Sequence, residues 1–308
     1  MITRRTPTPG HPLLVLWSAA RRVSGQESVA PRVPFQPARQ YAPSVEEHVG
    51  LYASAYAGFD AREQVRRRTY GDDLGQSGWL TTDELTRFAD WLDLHPGSRL
   101  LDVGCGAGGP ALRLAEATNA SVVGIDILAE GIATATELAQ ERGLGERAAF
   151  LRVDAGGQLP FDEGSFDAAL SVDAMCHLPD RLHILRELHR VTSAGARILF
   201  TDPTIVTGLV TGSEIAARSS IGLYVYSDRS TNEQLLAEAG FELLRREDLT
   251  ENTAVIAARW HDAREEFRDA LVRDEGESTF EGVQRFLSAC DLLARERRLS
   301  RYAYLAAR

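Results

Sequence analysis

From Arg99 onward the chain alternates short apolar runs with longer stretches whose apolar residues recur three and four positions apart. The runs are Leu100–Val103, Val122–Ile125, Ala149–Val153, Ala168–Val172 and Arg197–Phe200. Between them lie helical patterns at Pro110–Ala117, Ala129–Arg142 and Asp180–Val191, the last with Leu182, Leu185, Leu188 and Val191 at core spacing. Near-continuous apolar strands belong to parallel sheets covered on both faces. Right-handed crossovers wind such strands into a doubly wound α/β sheet. Farther on, Thr204–Arg229 is mixed and predicts a lid. Asn232–Ala239 reads as a helix ended by Gly240, Phe241–Arg246 as a sixth strand, and Ala254–Arg273 and Phe280–Arg298 as two helical segments. Tyr302–Ala306 alternates like a seventh strand. Ahead of the sheet, Ser44-Val-Glu-Glu47 has the form of a capping box before Val49, Leu51 and Tyr52. Thr82–Leu92 then sets Leu85, Phe88, Trp91 and Leu92 on one face, so an N-terminal helical cap is predicted.

Composition divides the 308 residues further. Seven of the twelve prolines fall in residues 1–43, among Arg, Ser, Gly and Gln, which predicts a disordered Pro/Arg-rich segment. Residues 44–308 then form one domain: a cap over 44–95, a ligand-binding core over 96–203, a lid over 204–229 and a helical insertion over 251–298. The formal charge is −10, with six Arg against Glu27 in residues 1–43 and −15 left for the rest. So acidic a body gains nothing from counterion release, which argues against a nucleic-acid substrate. The chain contains no Lys, which excludes Schiff-base and Lys general-base chemistry. Cys105, Cys176 and Cys290 are odd in number and far apart, which suits neither a disulfide framework nor a zinc site and fits a cytoplasmic protein. No metal cluster is expected. The apolar stretch Leu13–Ala20 is too short for a membrane span, and Pro12 interrupts its start. No pattern fixes an oligomeric state.

The most informative stretch is Leu100-Leu-Asp-Val-Gly-Cys-Gly-Ala-Gly-Gly-Pro110: a strand, a glycine-rich turn, then a helix opened by Pro110. Its backbone can pass close to a ligand, and the helix start offers unpaired N–H groups. Gly104, Gly106 and Gly109 also fit the dinucleotide register. Asp102 separates the two readings, because a carboxylate two residues before the first glycine repels a pyrophosphate and suits a zwitterion. Three more acids follow strand ends. Asp126 can accept from ribose hydroxyls, Asp154 from an adenine amino group, and Asp173 closes the fourth run. Each alone is an ordinary turn or capping residue. Four in successive loops, beyond the carboxyl ends of the strands, point to one ligand site.

Leu100–Pro203 resembles the class I S-adenosylmethionine-dependent methyltransferases. The likeness rests on Asp102-Val-Gly-Cys-Gly-Ala-Gly-Gly109, Gly124-Ile-Asp126, Asp154, and Glu187-x-x-Arg190-Val191 before Gly195. It implies a Rossmann-like, seven-stranded mixed sheet with the last strand antiparallel. It also implies S-adenosylmethionine held by Asp102, Gly104, Cys105, Gly106, Gly108, Asp126, Ile127, Asp154 and Ala155. Tyr70-Gly-Asp-Asp-Leu-Gly-Gln-Ser-Gly-Trp79 and Asp173-Ala-Met-Cys-His-Leu178 are similar to phosphoethanolamine and sarcosine/dimethylglycine N-methyltransferases. That likeness implies that the segment carrying Gln76 and Ser77 closes over the methionine end of the cofactor. It further implies that Asp173 lies beside the reacting centre and that His177 serves catalysis. The departures bear on phosphoethanolamine: Pro203 follows Asp202 where the phosphobase enzymes carry a tyrosine, and neither Arg218 nor Tyr224 aligns convincingly with their phosphate ligands.

Methyl transfer to an amine or hydroxyl is an in-line displacement that needs alignment, exclusion of water and removal of a proton. His177 is the candidate base; His183 and His189 lie on a surface-type helix. Trp79, Tyr224 and Trp260 are candidate substrate-pocket residues, since aromatic faces attract cationic amines, although such rings more commonly serve as core. The expected reaction is methylation of a small molecule at an amine nitrogen, with O- or C-methylation as the alternative. A nicotinamide oxidoreductase shares the glycine turn but not Asp102. A nucleic-acid methyltransferase would carry a polar-Pro-Pro-aromatic motif where Ser171-Val-Asp-Ala174 stands. A non-catalytic binding protein would have lost cofactor residues, and none is lost.

Overall fold

The computed structural model describes residues 62–308, so the capping box at Ser44 and the disorder expected for residues 1–43 lie outside the described residues. Two helices come first: α1 (Glu63–Tyr70) and α2 (Thr82–Trp91), the latter closed at its start by a reciprocal capping box between Thr81 and Glu84. The alternating core follows as β1 (Arg99–Val103), α3 (Gly109–Thr118), β2 (Ser121–Asp126), α4 (Ala129–Glu141), β3 (Ala148–Arg152), β4 (Phe166–Ser171), α5 (Arg181–Val191) and β5 (Thr192–Val206). Then come α6 (Gly212–Arg218), α7 (Thr231–Glu238), β6 (Glu242–Asp248), α8 (Thr250–Glu266), α9 (Arg268–Glu275), α10 (Glu277–Arg295) and β7 (Leu299–Ala307).

The seven strands form one sheet in the order β3-β2-β1-β4-β5-β7-β6, with β1 to β5 parallel and β7 antiparallel to both neighbours. This is the mixed, doubly wound sheet expected from the sequence. Alternate side chains feed two cores: Leu100 and Leu170 pack with α2, α3 and α4 on one face, and Leu101, Val103 and Ile198 with α5 and α7 on the other. Burial on both faces is why β1 and β4 read as unbroken apolar runs. The chain leaves β1 toward β2 and β3, then returns to β4 on its other side. The β1/β4 boundary is therefore the switch point, where a crevice opens beyond the strand ends.

Two differences from the sequence reading stand out. The fifth strand extends to Val206 because β7 pairs along it, with an irregularity between Asp202 and Ile205 where Pro203 offers no N–H. Ala254–Arg273 is two helices rather than one: α8 starts earlier, at Thr250, and the chain breaks at Phe267. Gly276, at φ +83°, then separates α9 from α10. Among the described residues no helix is long and apolar enough to cross a membrane.

Candidate functional site

The turn after β1 is pinned by two hydrogen bonds, from the N–H groups of Gly104 and Cys105 to the Ile125 carbonyl (2.8 and 3.0 Å). Gly108 caps α3 in the left-handed region at φ +75°, and a Cβ there would lie 2.8 Å from the Phe150 ring. At Gly109 a Cβ would fall 1.4 Å from the Leu74 carbonyl oxygen, so only glycine lets the segment between α1 and α2 rest on the start of α3.

Asp102 is buried beneath this turn, and its carboxyl has no hydrogen-bond partner among the described residues. Burial first, and then the neighbouring charge of Asp126, push its pKa up to about 7. Asp126 at the end of β2 accepts from Gly106 N–H and Leu128 N–H, both at 2.9 Å, yet burial still raises its pKa. Ile127 follows it, and its carbonyl accepts from Arg152. Beyond β3, Asp154 is exposed and accepts from Gly156 N–H at 2.8 Å; Ala155 beside it is half-buried. The sulfur of Cys105 is buried against the turn, with burial raising its pKa. Asp102, Gly104, Gly106, Gly108, Asp126, Ile127, Asp154 and Ala155 thus line one edge of the sheet.

Over that edge runs Asp72–Leu80. The carbonyl of the Gln76 side chain accepts from Leu74 N–H at 2.8 Å, and its amide reaches the carbonyls of Asp72 and Leu80 at 3.4 Å. Gln76 therefore shapes the segment from within, and Ser77, half-buried, follows it. The far end is held by Asp173, whose Oδ2 accepts from Trp79 N–H at 2.9 Å. Asp173 has a φ of +54°, uncommon for a residue with a Cβ, and its other oxygen accepts from Thr201 and from Arg301 Nε, both at 2.7 Å. Arg301 is wholly buried, and its Nη1 donates to both oxygens of Glu84 at 2.9 Å. A buried chain Glu84–Arg301–Asp173 thus links α2, β7 and β4 to the covering segment.

His177 ends a short 3-10 turn (Met175–His177) after β4. Its Nδ1 lies 2.7 Å from the Leu223 carbonyl, which can only accept, so Nδ1 carries the proton and Nε2 the lone pair of the neutral ring. Burial, the largest influence, lowers its pKa below the usual 6.5, and Arg218 adds to that effect. Tyr224 packs on His177 with ring centroids 4.6 Å apart. Trp79 meets Trp260 edge-on at 6.2 Å, and Phe286 stacks with both Trp79 and Tyr224 at 6.1 Å. The three expected pocket aromatics therefore belong to one cluster with His177. Arg190, from the Glu187-x-x-Arg190 motif, instead pairs with Glu187 and ties down the Leu159 and Phe161 carbonyls, a structural duty away from this edge.

Sequence reasoning missed Arg301, Glu84, Thr201 and Phe286, and weighed Arg218 only as a phosphate ligand. A lone Arg inside the apolar Leu299–Ala306 run was the available sign, since a charge inside a strand covered on both faces needs a partner. Another buried cation, Arg181, joins Asp202 at 2.6 Å, Asn232 at 3.0 Å and Ser227, and donates to the Val225 carbonyl at 2.7 Å. It fastens the stretch that carries Leu223 and Tyr224.

Residues 101–200 match the model of the family described as "Methyltransferase domain". The 27-O-demethylrifamycin SV methyltransferase of Amycolatopsis mediterranei (strain S699) is 32% identical over 222 residues, which are 68% of this chain and 80% of that protein. Phosphoethanolamine N-methyltransferase 3 of Arabidopsis thaliana is 30% identical over 216 residues, 70% of this chain but 43% of the relative's length. The crystal structure of the 4+2 cyclase SpnF superposes with a TM-score of 0.69 at 24% identity, over 87% of this chain and 97% of that one. That last likeness concerns the fold.

Proposed function

We propose an acceptor chemistry from a plain premise: the chain belongs to the family of S-adenosylmethionine-dependent methyltransferases, enzymes acting on small molecules. The cofactor's fit is supported by Asp102, a buried carboxyl without a partner, and by a turn at which a Cβ would strike Phe150 or Leu74. In this reading Asp102 receives the ammonium, Asp126 the ribose and Asp154 the adenine. Gly104, Cys105, Gly106, Gly108, Ile127 and Ala155 shape the walls, and Gln76 and Ser77 sit in the cover. When bound, the cofactor supplies an electrophilic methyl on sulfur.

The protein's share is to orient the acceptor, exclude water and take a proton. His177 Nε2 is the proton acceptor, with Nδ1 anchored on Leu223. The lowered pKa keeps the ring neutral at pH 7. Trp79, Tyr224 and Trp260 form the apolar wall, residues 204–229 the lid and residues 251–298 the insertion behind it.

The acceptor atom in this proposal is a hydroxyl oxygen. One observation carries it: the groups that would greet an ammonium already hold guanidinium groups. Arg218 lies 4.2 Å from the Tyr224 ring centroid and 4.9 Å from that of Phe286, and the Asp173 carboxylate is bound by Arg301. The Asp173 carboxylate is already balanced, so it offers an incoming ammonium no counter-charge, whereas a hydroxyl enters neutral and needs none. The rifamycin relative's name carries the same atom. The amine nitrogen expected from the phosphobase likeness is the second reading, favoured by the 30% identity to the Arabidopsis enzyme. We place the enzyme in the cytoplasm, as its three buried free thiols suit a reducing compartment. The test is label transfer from methyl-tritiated S-adenosylmethionine to matched alcohol, phenol and amine acceptors on polyketide-like skeletons. Labelled ethers support the reading; label on amines alone refutes it.

A further inference from the structure

Behind the catalytic edge, between β7 and helices α6, α8 and α10, lies a small cavity. Its lining includes Arg218, Thr253, Cys290, Ser300, Arg301 and Pro203, and its volume of about 10 Å³ is room for roughly one water. Three of these residues bring buried polar atoms without a partner: Nη1 of Arg218, Nη2 of Arg301 and Oγ1 of Thr253. Their residues are 2%, 0% and 6% exposed. Arg301 is balanced by Glu84 and Asp173, whereas Arg218 makes no ion pair or hydrogen bond among the described residues and rests only on aromatic faces.

An uncompensated buried cation is among the costliest arrangements in a folded protein. The acidic side chains nearby do not relieve it. Glu84 and Asp173 use their oxygens on Arg301, Asn252, Thr201 and Trp79 N–H. Cys176 and Cys290 are thiols rather than thiolates, because burial raises the pKa of both. The Tyr226 hydroxyl is neutral as well, because burial raises its pKa.

We propose that this cavity is a binding site for a small monovalent anion of the halide class, held between Arg218 Nη1, Arg301 Nη2 and Thr253 Oγ1 as the counter-ion of Arg218. Its size selects the ligand: a monatomic anion is little larger than water, and a tetrahedral phosphate does not fit without displacing the walls. The site rests on Arg218, Arg301 and Thr253 rather than on the acceptor, so it stands whichever atom is methylated.

The test uses the whole purified protein without cofactor. Thermal unfolding is followed from 10 to 300 mM sodium chloride, sodium bromide, sodium phosphate and sodium gluconate at matched ionic strength. Chloride and bromide should raise the midpoint by roughly 3 °C beyond gluconate, with phosphate behaving like gluconate. Arg218→Met should abolish the increment, and Thr253→Val should raise the half-saturating chloride concentration severalfold. If Arg218→Met does not fold, crystals of the wild type in bromide decide the matter through an anomalous peak between the two guanidinium groups. Equal midpoints in all four salts, phosphate matching chloride, or a cavity without that peak would each overturn the assignment.

Discussion

Asp102→Asn should make the empty protein more stable and the loaded protein weaker, and the size of both effects follows from one buried carboxyl. Its pKa rises from 3.8 to about 7 in the fold, so the native state holds a proton that the unfolded chain has released. Stability from that group is fully present below pH 3.8 and disappears as pH climbs through 7. At pH 8 the ionised carboxylate therefore costs the empty protein at most about 4 kcal/mol, a burden that the amide removes. The variant's melting temperature should exceed the wild type's by several degrees at pH 8 and match it near pH 4. Binding shows the opposite sign. A cationic amino group needs the ionised form, so wild-type affinity for S-adenosylmethionine should fall about tenfold per unit below pH 7. Above about pH 8 it should fall again as the ligand's own amine deprotonates. The Asp102→Asn variant should lose the acid limb and bind about 30-fold or more weakly at pH 7.5. Calorimetry in buffers of different ionisation heat, paired with thermal unfolding, measures both. A wild-type affinity flat from pH 5.5 to 7.5, or a variant no more stable at pH 8, would refute the assignment of Asp102 to the ammonium.

Two further outcomes are expected. His177→Ala should lower kcat by roughly 10²–10³-fold, and wild-type kcat/KM should lose activity on the acid side through a midpoint below 6.5, where protonation removes the Nε2 lone pair; steady-state kinetics over pH 5–9 check both, and a variant with full activity at pH 7 removes His177 from the reaction. Gly109→Ala puts a methyl where the Leu74 carbonyl now lies; limited proteolysis should cut within Asp72–Leu80 faster and cofactor affinity should fall at least tenfold, whereas unchanged affinity would mean that this segment is not a cover.

The glycine turn and the aspartates beyond successive strands were legible because their geometry is local: each follows a run whose period announces a strand, and the turn dictates glycine within a few residues. The doubly wound α/β class followed from the same alternation, and the antiparallel last strand from the family resemblance. The Glu84–Arg301 pair was not legible, since its partners lie 217 positions apart and Glu84 already had a complete local explanation as the third residue of a capping box. Asp173 was read as a ligand on the edge, and the structure ties its carboxylate to Arg301, Thr201 and Trp79. The length of β5 and the break at Phe267 depend on packing against elements far along the chain, which no local pattern records. Arg218 was weighed only as a phosphate ligand, because nothing local shows that its guanidinium lies buried against the rings of Tyr224 and Phe286.

The placement of β7 has a consequence for biogenesis. It follows every other described element in the chain, yet it occupies the sheet interior between β5 and β6, and it delivers the guanidinium on which the Asp173 carboxylate depends. A nascent polypeptide halted before Arg301 would expose two unpaired strand edges and leave Glu84 and Asp173 as buried carboxylates with no counter-charge. Such a fragment is a target for chaperones and proteases rather than a weakened enzyme, so translation must run through the final strand before any copy of the cofactor can be retained.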